Sequence, residues 1–380
     1  MTQKEYNELV NTVKHHDYLY WTENNPAISD EQYDVLYSNL QDIESAHPEW
    51  TLPDSPTQCL STATNGNNRR LVRRRTIMLS TEKANSVEKL TRWMQKTTKA
   101  AKKLGCIEPD LFSVEWKYDG ESCSLVYIDG DLVEASSGKG MDGIDVLEHV
   151  KFVDNIPLQI PAKGRVEIRG EIVCLFANLP KTNYKTCRAA AIGYLANENP
   201  DAAVGRLMKF FPYQCIGEYF RSMTVHGMFM SIHQDFGFED IPHNSNESMD
   251  YITNYVKECE HVRSKLEFPV DGLVIKAHHV DKWSDFGATD HHPKYSCAYK
   301  FPPQMFTTTL RRVETTIGEK TGKVTYMAHF DPVIVNGATY TCASCGSEKT
   351  FLEKGIKVGD KILFGLANDV IPQVYGKAED

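Results

Sequence analysis

The chain has 380 residues, of which 41% are hydrophobic and 24% are charged, and its formal net charge at pH 7 is −9. This length predicts two or three domains, and the composition is typical of a globular protein with a sizeable core. The sequence has no apolar run long enough to cross a bilayer and no signal-peptide core, so we expect a cytoplasmic, intracellular protein without membrane contact. The acidic balance argues against a constitutive nucleic-acid coat, although an enzyme can still meet a polyanion through a local basic surface.

The N-terminal part, residues 1–65, predicts a small helical domain. Apolar residues recur at helical spacing between Tyr6 and Val13, and this helix runs on towards Tyr20. Residues 29–32 form a capping box that begins a second helix.

The middle part, residues 66–304, predicts an α/β domain with antiparallel sheets. It opens with a basic run at 69–75, interpreted either as a solvated face or as a contact for backbone phosphates. Glycines at 138–143 predict a loop, but their spacing differs from that of a G-x-G-x-x-G dinucleotide-binding turn. The predicted elements are helices at about 87–103 and 249–266, and strands at 112–116, 122–128, 132–136, 165–174, 209–213 and 273–277.

The C-terminal part, residues 305–380, is again rich in predicted strands. Turn dipeptides at 321–322, 336–337 and 359–360 separate them, which predicts a small five-stranded barrel. The fold class is therefore multidomain α+β, with a helical domain, an α/β domain and a barrel.

The cysteines predict no metal site. Cys123, Cys174 and Cys215 fall in apolar or strand-like stretches, as is typical of reduced, buried thiols. Cys342 and Cys345 form the only C-x-x-C, and one pair cannot complete a tetrahedral zinc site.

Lys117-Tyr118-Asp119-Gly120 is the most informative motif. It ends an alternating segment, so its lysine lies at the end of a half-buried strand, two residues before a carboxylate. Covalent nucleotidyl transfer needs such an amine, which attacks an α-phosphorus and carries the nucleotide as a phosphoramidate. Further charges follow at predicted strand ends, where they cost desolvation unless they line a site. These elements are Glu115 to Gly120, Glu167-x-Arg169-Gly170-Glu171, Asp271 to Lys276, and Ala298 to Pro302.

Further motifs extend over nearly the whole chain in a fixed order. They are His16-x-Tyr18-x-Tyr20, Ile28-x-Asp30-x-x-Tyr33-Asp34, Pro53 to Gln58, Met78-Leu79-Ser80, Glu115 to Gly120, Arg169-Gly170-Glu171, Ala189-Ala190-Ala191, Phe210-Phe211-x-Tyr213, Asp271 to Lys276, Tyr299 to Pro302, Gly359-Asp360-Lys361 and Asp369 to Val374. In these motifs the chain resembles the covalent nucleotidyltransferases, and specifically the bacterial-type NAD-dependent DNA ligases. The resemblance of the first two motifs to the N-terminal signature of that family distinguishes NAD from ATP as the nucleotide donor, because ATP-dependent ligases lack that module.

The resemblance implies an NMN-binding domain, an adenylation domain and an OB-fold. It implies that Lys117 becomes adenylylated by NAD⁺, and that AMP then passes to the 5′-phosphate of nicked duplex DNA in replication and repair. The catalytic residues that it implies are Lys117, Asp119, Glu171, Lys276 and Lys300. The nucleotide-binding residues that it implies are Tyr20, Trp21, Asp30, Tyr33, Asp34, Ser80, Glu115, Lys117, Tyr118, Arg188, Tyr213, Val274, Lys276 and Lys300.

The resemblance further implies a Mg²⁺ ion near Glu171 and Asp271, without a dedicated protein cage, since Mg²⁺ usually keeps most of its waters. The protein is expected to act as a monomer. The family continues beyond the OB-fold into a zinc finger, a helix-hairpin-helix domain and a BRCT domain. This chain stops at the OB-fold, which would suit either a minimal or a truncated enzyme.

The chain departs from the family pattern at five positions. Trp21 stands where the family has a histidine, Ser137 replaces an arginine, and Lys139 replaces an aspartate. Ala189 and Ala196 replace an asparagine and an arginine. The lost arginines weaken the expected phosphate contacts, and Lys139 or Arg206 are candidates to compensate. Two alternatives therefore stay open: an RNA ligase or capping-type nucleotidyltransferase, and a degenerate protein that only binds NAD or DNA.

Overall fold

The computed structural model describes residues 2–21, 70–220, 223–289, 292–302, 304–317, 324–335, 338–367 and 371–378, with isolated positions between 36 and 56. No helix among these residues is both long and apolar enough to cross a membrane.

The α-helices are Gln3–Trp21, Val87–Lys103, Leu147–Val150, Cys187–Ala196, Ala202–Gly205, Val225–Met230, Met249–Val262, Trp283–Phe286 and Glu348–Glu353. The strands are β1 (Leu71–Met78), β2 (Glu82–Ala84), β3 (Phe112–Tyr118), β4 (Glu121–Ile128), β5 (Asp131–Ser137), β6 (Gly140–Asp145), β7 (Arg165–Cys174), β8 (Met208–Ile216), β9 (His243–Glu247), β10 (Val270–Ala277), β11 (Ser296–Lys300), β12 (Met305–Ile317), β13 (Val324–Val335), β14 (Ala338–Gly346), β15 (Lys361–Ala367) and β16 (Ile371–Lys377).

The first predicted helix is confirmed as Gln3–Trp21. Tyr6, Val10 and Val13 are buried together with Leu40, as their helical spacing requires. The second predicted helix lies mostly outside the described residues.

The middle region is built from two mainly antiparallel sheets. The six-stranded sheet has the order β1-β6-β5-β4-β7-β8, and the five-stranded sheet has the order β2-β11-β10-β3-β9. Each sheet has its own hydrophobic core, the first centred on Tyr127, Ile168 and Phe210 and the second on Phe112 and Leu273. The predicted antiparallel α/β architecture is confirmed, and the helix predicted at 87–103 has the same bounds in the structure.

Alternation along β3 explains how one strand serves both a core and a site. Trp116 and Tyr118 pack into the second core. Glu115 and Lys117 alternate with Trp116 and Tyr118 along the strand, so their side chains project from the opposite face of the sheet. The motif lysine is therefore presented on the face that the core does not use.

One prediction for the middle region was wrong. Gly140 and Gly143 belong to strand β6 rather than to a loop, because that segment pairs with β1. The basic run falls largely in strand β1, where Arg70 beside it and Arg75 within it are exposed, whereas the side chain of Arg74 is buried against the hairpin of β5 and β6. Contact of the run with backbone phosphates stays a prediction.

The C-terminal region is a closed barrel with the order β12-β13-β14-β16-β15. Its interior is filled by Leu310, Phe330, Ile362, Phe364 and Val374. The predicted five-stranded barrel is thus confirmed, and closure leaves its strands without long free edges.

Candidate active site

One cavity of about 1920 Å³ is lined by strands of both sheets of the middle region. This volume exceeds that of an ordinary small-molecule pocket and suits a dinucleotide. The expected site residues that line it are Ser80, Glu115, Lys117, Tyr118, Glu171, Arg188, Tyr213, Val274, Lys276 and Lys300, and Asp271 lies beside them. Residues separated by more than two hundred positions in the chain are therefore brought together.

Lys117 is held by a carboxylate on the neighbouring strand. Its Nζ donates to both oxygens of Asp271, at 2.7 and 2.9 Å, and Lys300 Nζ lies 3.3 Å from the same carboxylate. Gly272 is registered between Lys117 and Lys300 across β3, β10 and β11. A Cβ at Gly272 would lie 2.0 Å from the carbonyl oxygen of Tyr299, so the glycine lets β10 and β11 approach closely where the two lysines meet Asp271.

Glu115 and Lys276 form an ion pair that is buried on both sides. Lys276 Nζ also donates to the carbonyl of Tyr213 at 2.6 Å and lies 5.5 Å from the centroid of the Tyr213 ring. The expected adenine-binding pair, Glu115 and Tyr213, is thereby fixed around one ammonium group. Burial and the ion pair keep the side chains of Glu115 and Lys276 in one geometry, and the bond to the Tyr213 carbonyl fixes the backbone that carries the Tyr213 ring.

Asp119 pairs with Arg188 across the turn that follows β3. Arg188 lies in the first turn of the helix Cys187–Ala196, which begins with Thr186 as its N-cap. Gly120 lets this turn approach β7 closely, since a Cβ there would lie 2.0 Å from the carbonyl oxygen of Ile172. The K-x-D-G glycine therefore sets where Asp119 meets Arg188.

Three carboxyl groups lie near Arg188, of which Glu121 and Glu171 line the cavity and Asp119 pairs with Arg188. Burial raises the pKa of Glu171 to about 8, and burial also raises the pKa of Asp119 and of Glu121. Desolvated carboxyl groups that also repel one another suit a divalent cation, which would favour their ionised forms. The residues present fit Mg²⁺ best at Glu171 with the second oxygen of Asp119, because Arg188 occupies only one oxygen of Asp119, whereas both oxygens of Asp271 accept from Lys117. Among the residues that the structure describes, no group of three or more metal-ligating side chains forms a cage.

Some expected site residues have other surroundings. Tyr118 lines the cavity, but its ring stacks on Phe211 at 4.1 Å and is buried in the core. Arg169 links β7 to β1, because its guanidinium donates to Glu167 and to the carbonyls of Thr76 and Ile77. The side chains of Tyr20 and Trp21, and all of Asp30, Tyr33 and Asp34, lie outside the described residues.

The sequence interpretation missed parts of this site. Asp271 was expected only as a magnesium neighbour, although its place at a strand end was the signal for a buried carboxylate. Trp283 and Tyr295 line the cavity as a parallel stack 4.4 Å apart, and nothing in their local sequence indicates it.

Comparison with known proteins gives the same organisation. Models of the NAD-dependent DNA ligase adenylation domain, the DNA ligase-like N-terminal NAD⁺-binding domain and the NAD-dependent DNA ligase OB-fold domain match residues 67–304, 1–61 and 307–380. A DNA ligase of Borrelia turicatae is 34% identical over 365 residues, covering 93% of this chain and 53% of that protein. DNA ligases of Leuconostoc mesenteroides and Natranaerobius thermophilus are 32% and 30% identical, covering 98% and 100% of this chain.

The chain spans 56% and 58% of the lengths of those last two relatives. The adenylation-domain match alone covers more than half of the chain. Together with the lysine, the carboxylates and the cations gathered in the cavity, these matches show that the chain belongs to the NAD-dependent DNA ligase family.

Proposed function

We propose that this protein is an NAD⁺-dependent DNA ligase that seals nicks between a 5′-phosphate and a 3′-hydroxyl in duplex DNA. The observation that carries the proposal is the position of Lys117, whose Nζ reaches the cavity between Asp271 and Lys300. An amine with cations around it is suited to attack a phosphorus whose oxygens carry negative charge. The match to an NAD⁺-binding N-terminal domain supports NAD⁺ as the nucleotide donor.

The first step forms a phosphoramidate. Lys117 loses a proton, its Nζ lone pair attacks the α-phosphorus of NAD⁺, and the bond to the NMN phosphate oxygen breaks. Asp271 orients Nζ, and Lys300 offsets charge on the phosphate oxygens. Glu115 accepts from the adenine amino group and Tyr213 stacks on the ring, while Lys276 holds both in place.

The later steps move AMP to the nick and release it. An oxygen of the 5′-phosphate attacks the same phosphorus, the P–N bond breaks, and Lys117 takes up a proton. The 3′-hydroxyl then attacks the 5′-phosphate, loses its proton and displaces AMP. Glu171 and Asp119 would hold Mg²⁺, which neutralises phosphate charge when it is bound.

Self-adenylylation tests the proposal. Wild type, Lys117→Ala and Lys151→Ala are each incubated with NAD⁺ or with ATP labelled in the adenylate, and protein-bound label is measured. Lys151 serves as the matched control, because it lies on the surface and pairs with Glu148. We expect label from NAD⁺ alone in wild type and Lys151→Ala, and none in Lys117→Ala.

The labelled enzyme is then offered a singly nicked DNA duplex and the same nick in an RNA duplex. We expect AMP transfer and sealing on DNA with a 5′-phosphate. Label from ATP, or sealing confined to RNA, would move the chain to another branch of the nucleotidyltransferases. If neither nucleotide labels the protein, the result would favour the alternative of a degenerate protein that only binds NAD or DNA.

A further inference from the structure

Lys139 occupies the tip of the hairpin that joins β5 to β6, beside the catalytic face. Gly138 and Gly140 flank it with φ angles of 86° and 90°, which only glycine adopts readily. Gly138 N–H donates to the carbonyl of Ser122 at 3.2 Å, and Ser122 is registered opposite Glu171. The turn is therefore anchored next to Glu171, and Lys139 lines the cavity.

A buried arginine fixes this turn from behind. Arg74 is 3% exposed and donates to the Ser136 hydroxyl at 3.0 Å, the Ser137 carbonyl at 3.0 Å and the Gly140 carbonyl at 3.1 Å. A Cβ at Gly143 would lie 2.2 Å from its Nη2. Arg74 therefore donates hydrogen bonds to residues on both sides of Lys139. These bonds fix the turn, so Lys139 is already positioned before a ligand binds.

Among the described residues, no carboxylate oxygen lies within ion-pair distance of Lys139 or of Lys83, although the charge of Glu171 acts on Lys139 and favours its charged form. By contrast, Lys117 and Lys300 pair with Asp271, Lys276 pairs with Glu115, and Arg188 pairs with Asp119. Desolvation together with the nearby charges of Lys117 and Lys83 lowers the pKa of the Lys139 ammonium. Cations that repel each other around a cavity are stabilised when an anion binds between them.

Lys83 comes from the opposite sheet but faces the same cavity. Four neighbouring strands of that sheet place one residue each in the same row. The row runs from β2 through β11 and β10 to β3 and consists of Lys83, Ala298, Val274 and Glu115. Residues in direct register share a face, so Lys83 projects from the face that carries Glu115 and Lys117. Lys83 also lines the cavity. The two unpaired lysines thus approach Lys117 from two different sheets.

We propose that Lys139 and Lys83 form a phosphate subsite that receives, in turn, the NMN phosphate of the donor and the 5′-phosphate of the nick. This inference rests on the proposed ligase function. In-line displacement requires the leaving phosphate of the first step and the entering phosphate of the second to lie opposite Lys117 Nζ across the α-phosphorus. One pair of cations can therefore serve both. Arg206, the other candidate from the sequence, lies on the surface 4.0 Å from Asp154 and does not line the cavity.

Step-resolved kinetics test the subsite. Single-turnover self-adenylylation by NAD⁺ and AMP transfer from pre-adenylylated enzyme to a 5′-phosphorylated nick are measured for wild type, Lys139→Ala, Lys83→Ala, Lys139→Arg and the control Lys151→Ala. We expect Lys139→Ala to slow both steps by about 10- to 100-fold, Lys83→Ala to slow both by a smaller factor, and Lys139→Arg to restore most of each rate. Lys151→Ala should match wild type.

A binding measurement separates this subsite from catalysis. On a Lys117→Ala background, which cannot react, the preference for a nick with a 5′-phosphate over one with a 5′-hydroxyl is measured as a ratio of Kd values. We expect Lys139→Ala to bring this ratio close to one. The proposal of a shared subsite would be overturned if Lys139→Ala kept wild-type rates in both steps, or if it slowed only one of them. If the wild type takes no label from NAD⁺, the proposed ligase function is wrong. If the wild type is labelled and Lys139→Ala is labelled at the same rate, only the proposed subsite is wrong.

Discussion

Glu115 and Lys276 form an ion pair that is almost closed to solvent, with side chains 4% and 5% exposed. Glu115 lies on β3, and its register partner Val274 precedes Lys276 by two residues on β10, so both charges leave the same face. Desolvation of each charge is offset mainly by the other, together with the bond from Lys276 to the Tyr213 carbonyl. The pair therefore serves the nucleotide site and the fold at once.

Removing one partner of this pair should destabilise the protein more than removing both. Lys276→Met leaves a buried carboxylate alone, and we expect a loss of about 3–5 kcal/mol in the free energy of unfolding. Adding Glu115→Gln should recover part of that loss. Urea unfolding of both single variants and the double variant measures the coupling, and strictly additive effects would contradict it.

Asp271→Asn should impair adenylylation while leaving the domain folded. Asparagine keeps the volume of the side chain but removes the charge that gathers Lys117 and Lys300. A misplaced nucleophile is expected to slow label transfer from NAD⁺ by about 100-fold. Asp154→Asn is the control, because Asp154 is exposed and its contact with Arg206 is worth little. Equal rates for the two variants would show that Asp271 does not position Lys117.

Glu171 should give the stability of the protein a specific pH dependence. Its folded pKa of about 8 lies above the ordinary pKa of 4.5 for a glutamate, so the folded state holds the proton between those values while the unfolded state releases it. Stability therefore falls as pH rises from about 4.5 to 8 and levels off above that. Relative to wild type, Glu171→Gln should gain stability across this window, by roughly 5 kcal/mol at most.

The unfolding temperature from pH 5 to pH 9 measures this difference. Glu148→Gln, at an exposed surface position, serves as its control. A constant difference between wild type and Glu171→Gln over the whole range would mean that Glu171 titrates normally.

Gly272→Ala should disrupt the meeting of Lys117 and Lys300. The added Cβ would lie 2.0 Å from the carbonyl oxygen of Tyr299, so β10 and β11 must separate. We expect a lower unfolding temperature and loss of adenylylation. Gly227→Ala is the matched control in the same region, since its Cβ meets no atom closer than 3.6 Å. If both variants behave like wild type, the strands accommodate the methyl group and this spacing is not critical.

Local patterns were sufficient for elements whose stability is local. The helix Val87–Lys103 has an apolar stripe and a serine N-cap, and the hairpin of β4 and β5 turns at Asp129 and Gly130. Strand β3, which carries Lys117 near its end, was predicted from its alternation. The burial of Arg74 within the basic run was not predicted, because a buried arginine has the same local sequence signature as an exposed one.

The sequence by itself determined the three-part organisation, the position of the K-x-D-G motif at the end of a strand, and the family. Those properties depend on periodicity and on motifs, which are readable within a few residues of one another. Only the tertiary structure decided that Asp271 holds Lys117 and Lys300, that Glu115 pairs with Lys276, and that Arg74 secures the turn of Lys139. These relationships join residues far apart in the chain. They follow from strand order and register, which no local pattern specifies.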